Sequence, residues 1–135
     1  MHQVLDVKDA IAATEVGLTT SANGVGMAKL TVLHRELIQT LPMSSGQEIR
    51  VIKARLDPGD HTPHHSHRFP VTVFMIEGVF TLELDGREPI AIGEGQVFIE
   101  PSNVTMTGRN LSADQPAVMI LFYVSEPDTP FADPA

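Results

Sequence analysis

The chain has 135 residues, enough for one ordinary domain with a single hydrophobic core and too few for two full domains. It contains no cysteine, which excludes disulfides, zinc fingers and thiolate clusters and leaves histidine, methionine or carboxylate oxygen as the only metal ligands. Nine Lys plus Arg against seventeen Asp plus Glu give a net charge of −8 with neutral histidines, and with no basic run this field excludes a phosphate backbone as partner.

In chain order, MHQVLDVKDAIAATEVG lacks a cationic start and a continuous apolar stretch, so no signal peptide is expected. No segment reaches the roughly 20 apolar residues of a membrane span. A soluble cytoplasmic protein is the resulting expectation. Val4, Val7 and Ile11 have a loose helical spacing closed by Gly17, so residues 1–26 are read as an arm or short helix.

From there the pattern changes to short β-branched runs bounded by Gly, Pro and Asp. Strands are expected over 28–37, 48–56, 64–76, 79–84, 89–92, 96–100 and 117–124, separated by the turn signals PMSSGQ, DPGD, EG, DGRE, GEG and SADQP. Many short strands without an intervening amphipathic helix predict an all-β antiparallel sandwich or barrel over residues 27–126. Residues 127–135 are proline-rich, cannot form a central strand and are expected as a surface tail. VTVFMI at 71–76 and AVMILFYV at 117–124 are apolar on both faces, which predicts cover from the opposite sheet plus either a subunit partner or the N-terminal arm.

HTPHHSHRFP, residues 61–70, holds four of the six histidines within seven residues. In an extended segment side chains alternate, so His61, His65 and His67 share one face and His64 points the other way. Two imidazoles at i and i+2 lie about 7 Å apart at Cβ, close enough to converge on one ion. Two ligands alone hold a divalent ion weakly, so the rest must come from elsewhere.

The run GDHTPHHSHRFPVTVFMIEG, Gly59 to Gly78, resembles the first signature motif of the cupin superfamily: Gly, five residues, His-x-His, three or four residues, Glu, six residues, Gly. GQVFIEPSNVTMTGRN, Gly95 to Asn110, resembles the second: Gly, five residues, Pro-x-Gly, two residues, His, three residues, Asn. The resemblance implies a cupin-type jelly-roll β-barrel that commonly dimerises and carries its site inside the barrel. It also implies His65 and His67 as metal ligands. The chain departs from the pattern at three places: Val71 stands at the Glu position, Met106 at the third His and Asn103 at the inner Gly.

Two neutral imidazoles and a thioether leave a divalent ion's charge uncompensated in an apolar barrel, which is costly. Cu(I), for which Met is a good ligand, or a bound substrate anion would relieve the problem, as would a pocket with no metal at all. The candidate metal set is therefore His65, His67 and Met106, with His61 as a substitute if Pro63 causes no bend. Glu100 and Asp60 are fallback carboxylates without a spacing argument. Val71, Val73, Met75, Phe74, Phe98 and Asn103 are candidate substrate-binding or pocket-wall residues. Phe69 is a further wall residue, and Arg68 and Arg109 are possible partners of an anionic or carbonyl substrate. Asn110 is expected to close a turn with its amide.

No sequence motif marks a nucleophile–His–acid site, a phosphate loop or paired carboxylates. The expected function is small-molecule binding, with a transition-metal site and an oxygenase- or isomerase-type activity on an oxygen-chelating substrate. The alternative is a metal-free, non-catalytic binding module with an apolar pocket.

Overall fold

The computed structural model describes residues 27–43 and 46–135. The arm or helix expected over 1–26 lies outside the described residues. Met1–Gln39 and Thr40–Ala135 separate as two units. In the first, residues 28–37 form no strand, contrary to expectation: Leu30, Leu33 and Leu37 are exposed, and among the described residues no strand ladder includes them. An extended run acquires strand structure only when another strand satisfies its backbone.

The second unit is all-β. Its strands are β1 (Glu48–Leu56), β2 (His65–Ser66), β3 (Val71–Glu77), β4 (Phe80–Leu84), β5 (Ile90–Ile92), β6 (Val97–Glu100), β7 (Met106–Arg109), β8 (Ala117–Ser125) and β9 (Asp133–Pro134). They form two antiparallel sheets, of order β1-β8-β3-β6 and β5-β4-β7-β2-β9. No described segment is a helix long and apolar enough to cross a membrane.

In the four-stranded sheet, period-two alternation decides what is inside. Val71, Val73 and Met75 of β3 and Met119, Leu121 and Tyr123 of β8 are buried, packing with Phe80, Leu82, Leu84, Ile92 and Met106 of the other sheet into one core. Burying each such apolar side chain fully contributes about 1.5–3 kcal/mol. The outer side chains of β3 and β8 are less covered than their composition predicts, since Phe122 and Ile76 remain 40% and 46% exposed. Two strands were not expected. β7 contains Gly108 and Thr107 and carries no apolar run, and β9 sits in the proline-rich tail. β9 is tolerated because it pairs on one side only, at the sheet edge, where a proline without an N–H costs least.

Tight turns fix the register. Gly78 has φ +75°, and a Cβ there would come within 2.1 Å of the Pro116 carbonyl oxygen, so the β3–β4 turn requires glycine. Asn110 is the turn-closer expected of it: its amide donates to the carbonyls of Leu56 (3.0 Å) and Gln115 (2.8 Å) and accepts from the Ser112 N–H (3.0 Å).

Candidate functional site

Cross-strand pairing aligns one polar row on the inner face of the four-stranded sheet. Arg50 pairs with Tyr123, Tyr123 with Val71 and Val71 with Glu100. The next row inward, Ile52, Leu121, Val73 and Phe98, is apolar. On the facing sheet, Leu84 pairs with Met106, Met106 with His65 and His65 with Pro134. The alternation predicted for 64–67 holds, with His65 and His67 buried and His64 at the surface.

The two inner imidazoles stand edge to face, ring centroids 4.8 Å apart. Each is held through Nδ1 by a backbone carbonyl: His65 donates to Pro63 and His67 to Phe131, both at 2.6 Å. A carbonyl can only accept, so both Nδ1 atoms carry a proton, and Nε2 is the nitrogen not held by the backbone. His67 Nε2 lies 3.3 Å from Glu100 Oε1, with the two side chains 1% and 6% exposed. The Asn103 N–H donates to the His67 carbonyl at 2.7 Å, and Phe131 and Tyr123 flank the ring at centroid distances of 4.8 and 6.0 Å.

Glu100 is the residue the sequence reading undervalued. The carboxylate absent at Val71 is supplied by that residue's direct partner on the neighbouring strand. One signal was available: Glu100 shares the phase of Phe98, and so the inner face, at i+2. Phe131, Tyr123 and Arg50 carry no local signal, because their places depend on pairings between distant segments.

The other candidates divide. Met106 is fully buried and paired with His65, and Val71, Val73 and Met75 are fully buried core. Phe98 is half-buried on the inner face, whereas Phe74, in the opposite phase between Val97 and Ile120, is on the outer face of the sheet. His61 is not brought to the site. It is exposed, bridges to Arg109 and donates Nδ1–H to the Thr62 carbonyl (2.8 Å), because the chain bends between it and β2 at the segment containing Pro63. Asn103 is exposed with φ 59°; it serves the site through its backbone and occupies the left-handed turn position that otherwise calls for glycine. Asp60 caps its own turn by accepting from the Asp57 N–H. Arg109 pairs with Glu83 at 3.0 Å. Arg68 clamps Asp133 through Nε and Nη2, at 3.0 and 3.1 Å.

His64 ties the surface together: Nδ1 meets Thr107 Oγ1 at 3.0 Å and Nε2 meets Asp85 Oδ2 at 3.1 Å. The hydrogen bond from Thr105, and secondarily His64, hold the Asp85 carboxyl below its usual range. The Arg68 guanidinium likewise holds Asp133 down, and Asp133 raises Arg68 further.

Among the described residues, no three His, Cys, Asp or Glu side chains already enclose an ion position. Two imidazoles whose Nε2 atoms are not spent on backbone carbonyls, plus one carboxylate, are borderline nitrogen and hard oxygen donors of the kind a divalent transition ion takes. The 3.3 Å between His67 Nε2 and Glu100 Oε1 also suits two ligands each about 2.0–2.2 Å from a common ion. Glu100 would supply the negative charge that two histidines and a thioether lack.

The sequence profile of the cupin domain matches residues 52–123, more than half of the chain. An uncharacterized protein of Methanocaldococcus jannaschii is 28% identical over 81 residues, 60% of this chain and 67% of its own. The crystal structure of an RmlC-like cupin family protein from that organism, with a double-stranded β-helix fold, is similar at a TM-score of 0.52 and 28% identity over 58% of this chain and 70% of that one. A cupin-like protein of Thermotoga maritima gives a TM-score of 0.56 at 22% identity over 64% of each chain. The polyketide cyclase RemF of Streptomyces resistomycificus gives 0.55 at 17% identity, over 67% of this chain and 62% of that one. The last two are likenesses of fold alone. This chain spans 62–70% of the length of these proteins.

Proposed function

The chain belongs to the cupin family, and from that membership we propose that it binds a small molecule in the barrel interior at a cation position between His67 and Glu100, filled by a divalent transition-metal ion. The single observation that carries this reading is the 3.3 Å approach of His67 Nε2 to Glu100 Oε1 while His67 Nδ1–H is committed to the Phe131 carbonyl. Two acceptors so placed in a buried site repel unless a cation lies between them. His65 and His67 would hold the ion with Glu100, and Met106 beside His65 is the soft ligand available to copper. When bound, such an ion supplies Lewis-acid polarisation of a substrate oxygen. The apolar row of Ile52, Leu121, Val73 and Phe98 favours exclusion of water next to that position, which strengthens every electrostatic contact there.

The test is calorimetric titration of untagged protein with Mn(II), Fe(II), Ni(II), Zn(II) and Cu(I). Binding of about one ion per chain, lost in His67→Ala and in Glu100→Gln, is expected. Absence of binding to the unmodified protein overturns the metal reading. A second reading is favoured by the lack of a ready three-ligand cluster among the described residues. In it the cation is a proton, and His67 with Glu100 is a buried acid–base pair able to move a proton to or from a bound substrate.

We also propose a homodimer through the outer face of the four-stranded sheet. Ile49 and Val51 are exposed there at 69% and 63%, and Val51 is paired directly with the exposed Phe122. Light scattering at twice the chain mass, reduced to one chain by Val51→Lys, supports this; a monomeric mass for the unmodified protein overturns it.

A further inference from the structure

The segment after β8 does more than end the domain. Glu126–Thr129 turns it back, with the Thr129 N–H and Oγ1 both donating to the Glu126 carbonyl (3.3 and 2.8 Å) and Arg50 Nη2 donating to the Thr129 carbonyl at 2.7 Å. It then runs along β2: Asp133 pairs with Ser66, Pro134 with His65, and the Ala135 N–H donates to the His64 carbonyl at 3.1 Å. Arg68, two residues past β2, clamps Asp133. Between these anchors the Phe131 ring packs against His67 and edge-on against Tyr123, at 4.8 and 5.3 Å between centroids. That packing places the Phe131 carbonyl 2.6 Å from His67 Nδ1.

We infer that Thr129–Ala135 is a strap whose Phe131 carbonyl dictates which nitrogen of His67 carries the proton and thereby creates the cation position facing Glu100. This rests on the site proposed above. The argument is one of hydrogen-bond inventory. A neutral imidazole has one donor and one acceptor nitrogen. With the strap in place the donor is spent on Phe131, so Nε2 confronts the carboxylate as an acceptor. Without it Nδ1 loses its acceptor, and the imidazole is free to place its proton on Nε2 and donate to Glu100 directly. The two then satisfy each other and need no cation. Phe131 is therefore a positioning residue, acting through His67 as outer hydrogen-bond partners act on metal-binding imidazoles. The other hold on His67, from the Asn103 N–H to its carbonyl, fixes the backbone and leaves the ring tautomer undetermined.

The experiment compares the full chain with a chain ending at Asp128 and with Phe131→Gly, which keeps a carbonyl but removes the ring that seats it. Long-range proton–nitrogen correlation spectra, taken at one fixed pH on histidine-labelled protein, read the protonation of each His67 nitrogen. Zn(II) titration of the same samples reads cation affinity. The expected result is an Nδ1-protonated His67 in the full chain and transfer of the proton to Nε2 in the shortened chain. Zn(II) affinity should fall about tenfold or more there, the usual size of such an outer-partner effect, with smaller shifts in the same direction in Phe131→Gly. If the shortened chain does not fold, Phe131→Gly carries the test. An unchanged His67 tautomer in the folded variants overturns the inference. A full chain that binds no Zn(II) but still changes tautomer on losing the strap retains the inference and overturns the metal reading alone.

Discussion

The two sheets of the domain divide its labour. The four-stranded sheet is built from long, regularly paired elements, with β1 and β8 in register over nine residue pairs, and its inner face turns from apolar to polar at the row that ends in Glu100 and at the Glu48–Ser125 pair beyond it. The five-stranded sheet carries both inner histidines on or beside a two-residue strand, paired with another of two residues from the tail. Few ladder pairs hold the β2–β9 edge, and side-chain contacts to carbonyls and carboxylates do the positioning there. Stability thus resides mainly in one wall and the chemistry mainly against the other. A functional group on a weakly built edge is adjustable, whereas one in the long ladder is not.

The largest effect expected is on the wall. Met119 is 1% exposed, between Ala54 and Met75 in the inner face, and Met119→Ala should cost about 2–5 kcal/mol. That corresponds to a fall in Tm of roughly 10 °C or more in a domain of this size. Calorimetric melting checks the loss, and the His67 tautomer spectrum should be unaltered. A changed tautomer would mean that wall and site are not separable.

The next effect belongs to the one row that joins the two sides. Glu100→Val leaves His67 Nε2 buried without its partner and should cost about 1–3 kcal/mol together with cation binding. Because Val71 and Glu100 face each other across the ladder, the double change Val71→Glu with Glu100→Val moves the carboxylate by one strand while conserving charge and volume. Recovery of both stability and Zn(II) binding in the double variant is expected. Recovery of stability without binding would show that the cation position is tied to β6.

These differences explain what could be read from the sequence. The wall was legible because strand periodicity is a local signal: the expected runs 48–56, 79–84 and 117–124 match β1, β4 and β8 closely. His65 and His67 were legible for the same reason, aided by motif spacing. Glu100 became part of the site only through a pairing between β3 and β6, and Phe131 only through a tail that returns to β2. Neither contact has a signature in its own segment. His61 misled because alternation assumes a straight strand, and the bend between it and β2 breaks the phase. Residues 28–37 misled because composition suits a strand while, among the described residues, no strand pairs with them.

A smaller effect tests whether site-side turns are set by backbone conformation. Asn103 holds φ 59° and donates its N–H to the His67 carbonyl. Left-handed backbone costs about 1–2 kcal/mol for residues other than glycine, with asparagine among those that tolerate it. Asn103→Ala should therefore lose about 1 kcal/mol by denaturant unfolding, while Asn103→Gly stays near neutral. Equal losses in both would place the stabilisation in the asparagine side chain instead.

The smallest effect is at the surface of the five-stranded sheet, where Asp85 joins Thr105 and His64. Its carboxyl titrates below the usual value of about 3.9, so folding favours the ionised form. The tie therefore contributes above about pH 4 and is lost as pH falls through the lowered folded-state value. Asp85→Asn should differ little from the unmodified protein at neutral pH, since exposed charge pairs contribute little. It should also lose less stability than the unmodified protein as the pH is lowered from 5 to 2. Parallel acid-unfolding curves would show that Asp85 is not responsible for the acid sensitivity of this edge, and that the histidine-bearing side is held by its inner contacts alone.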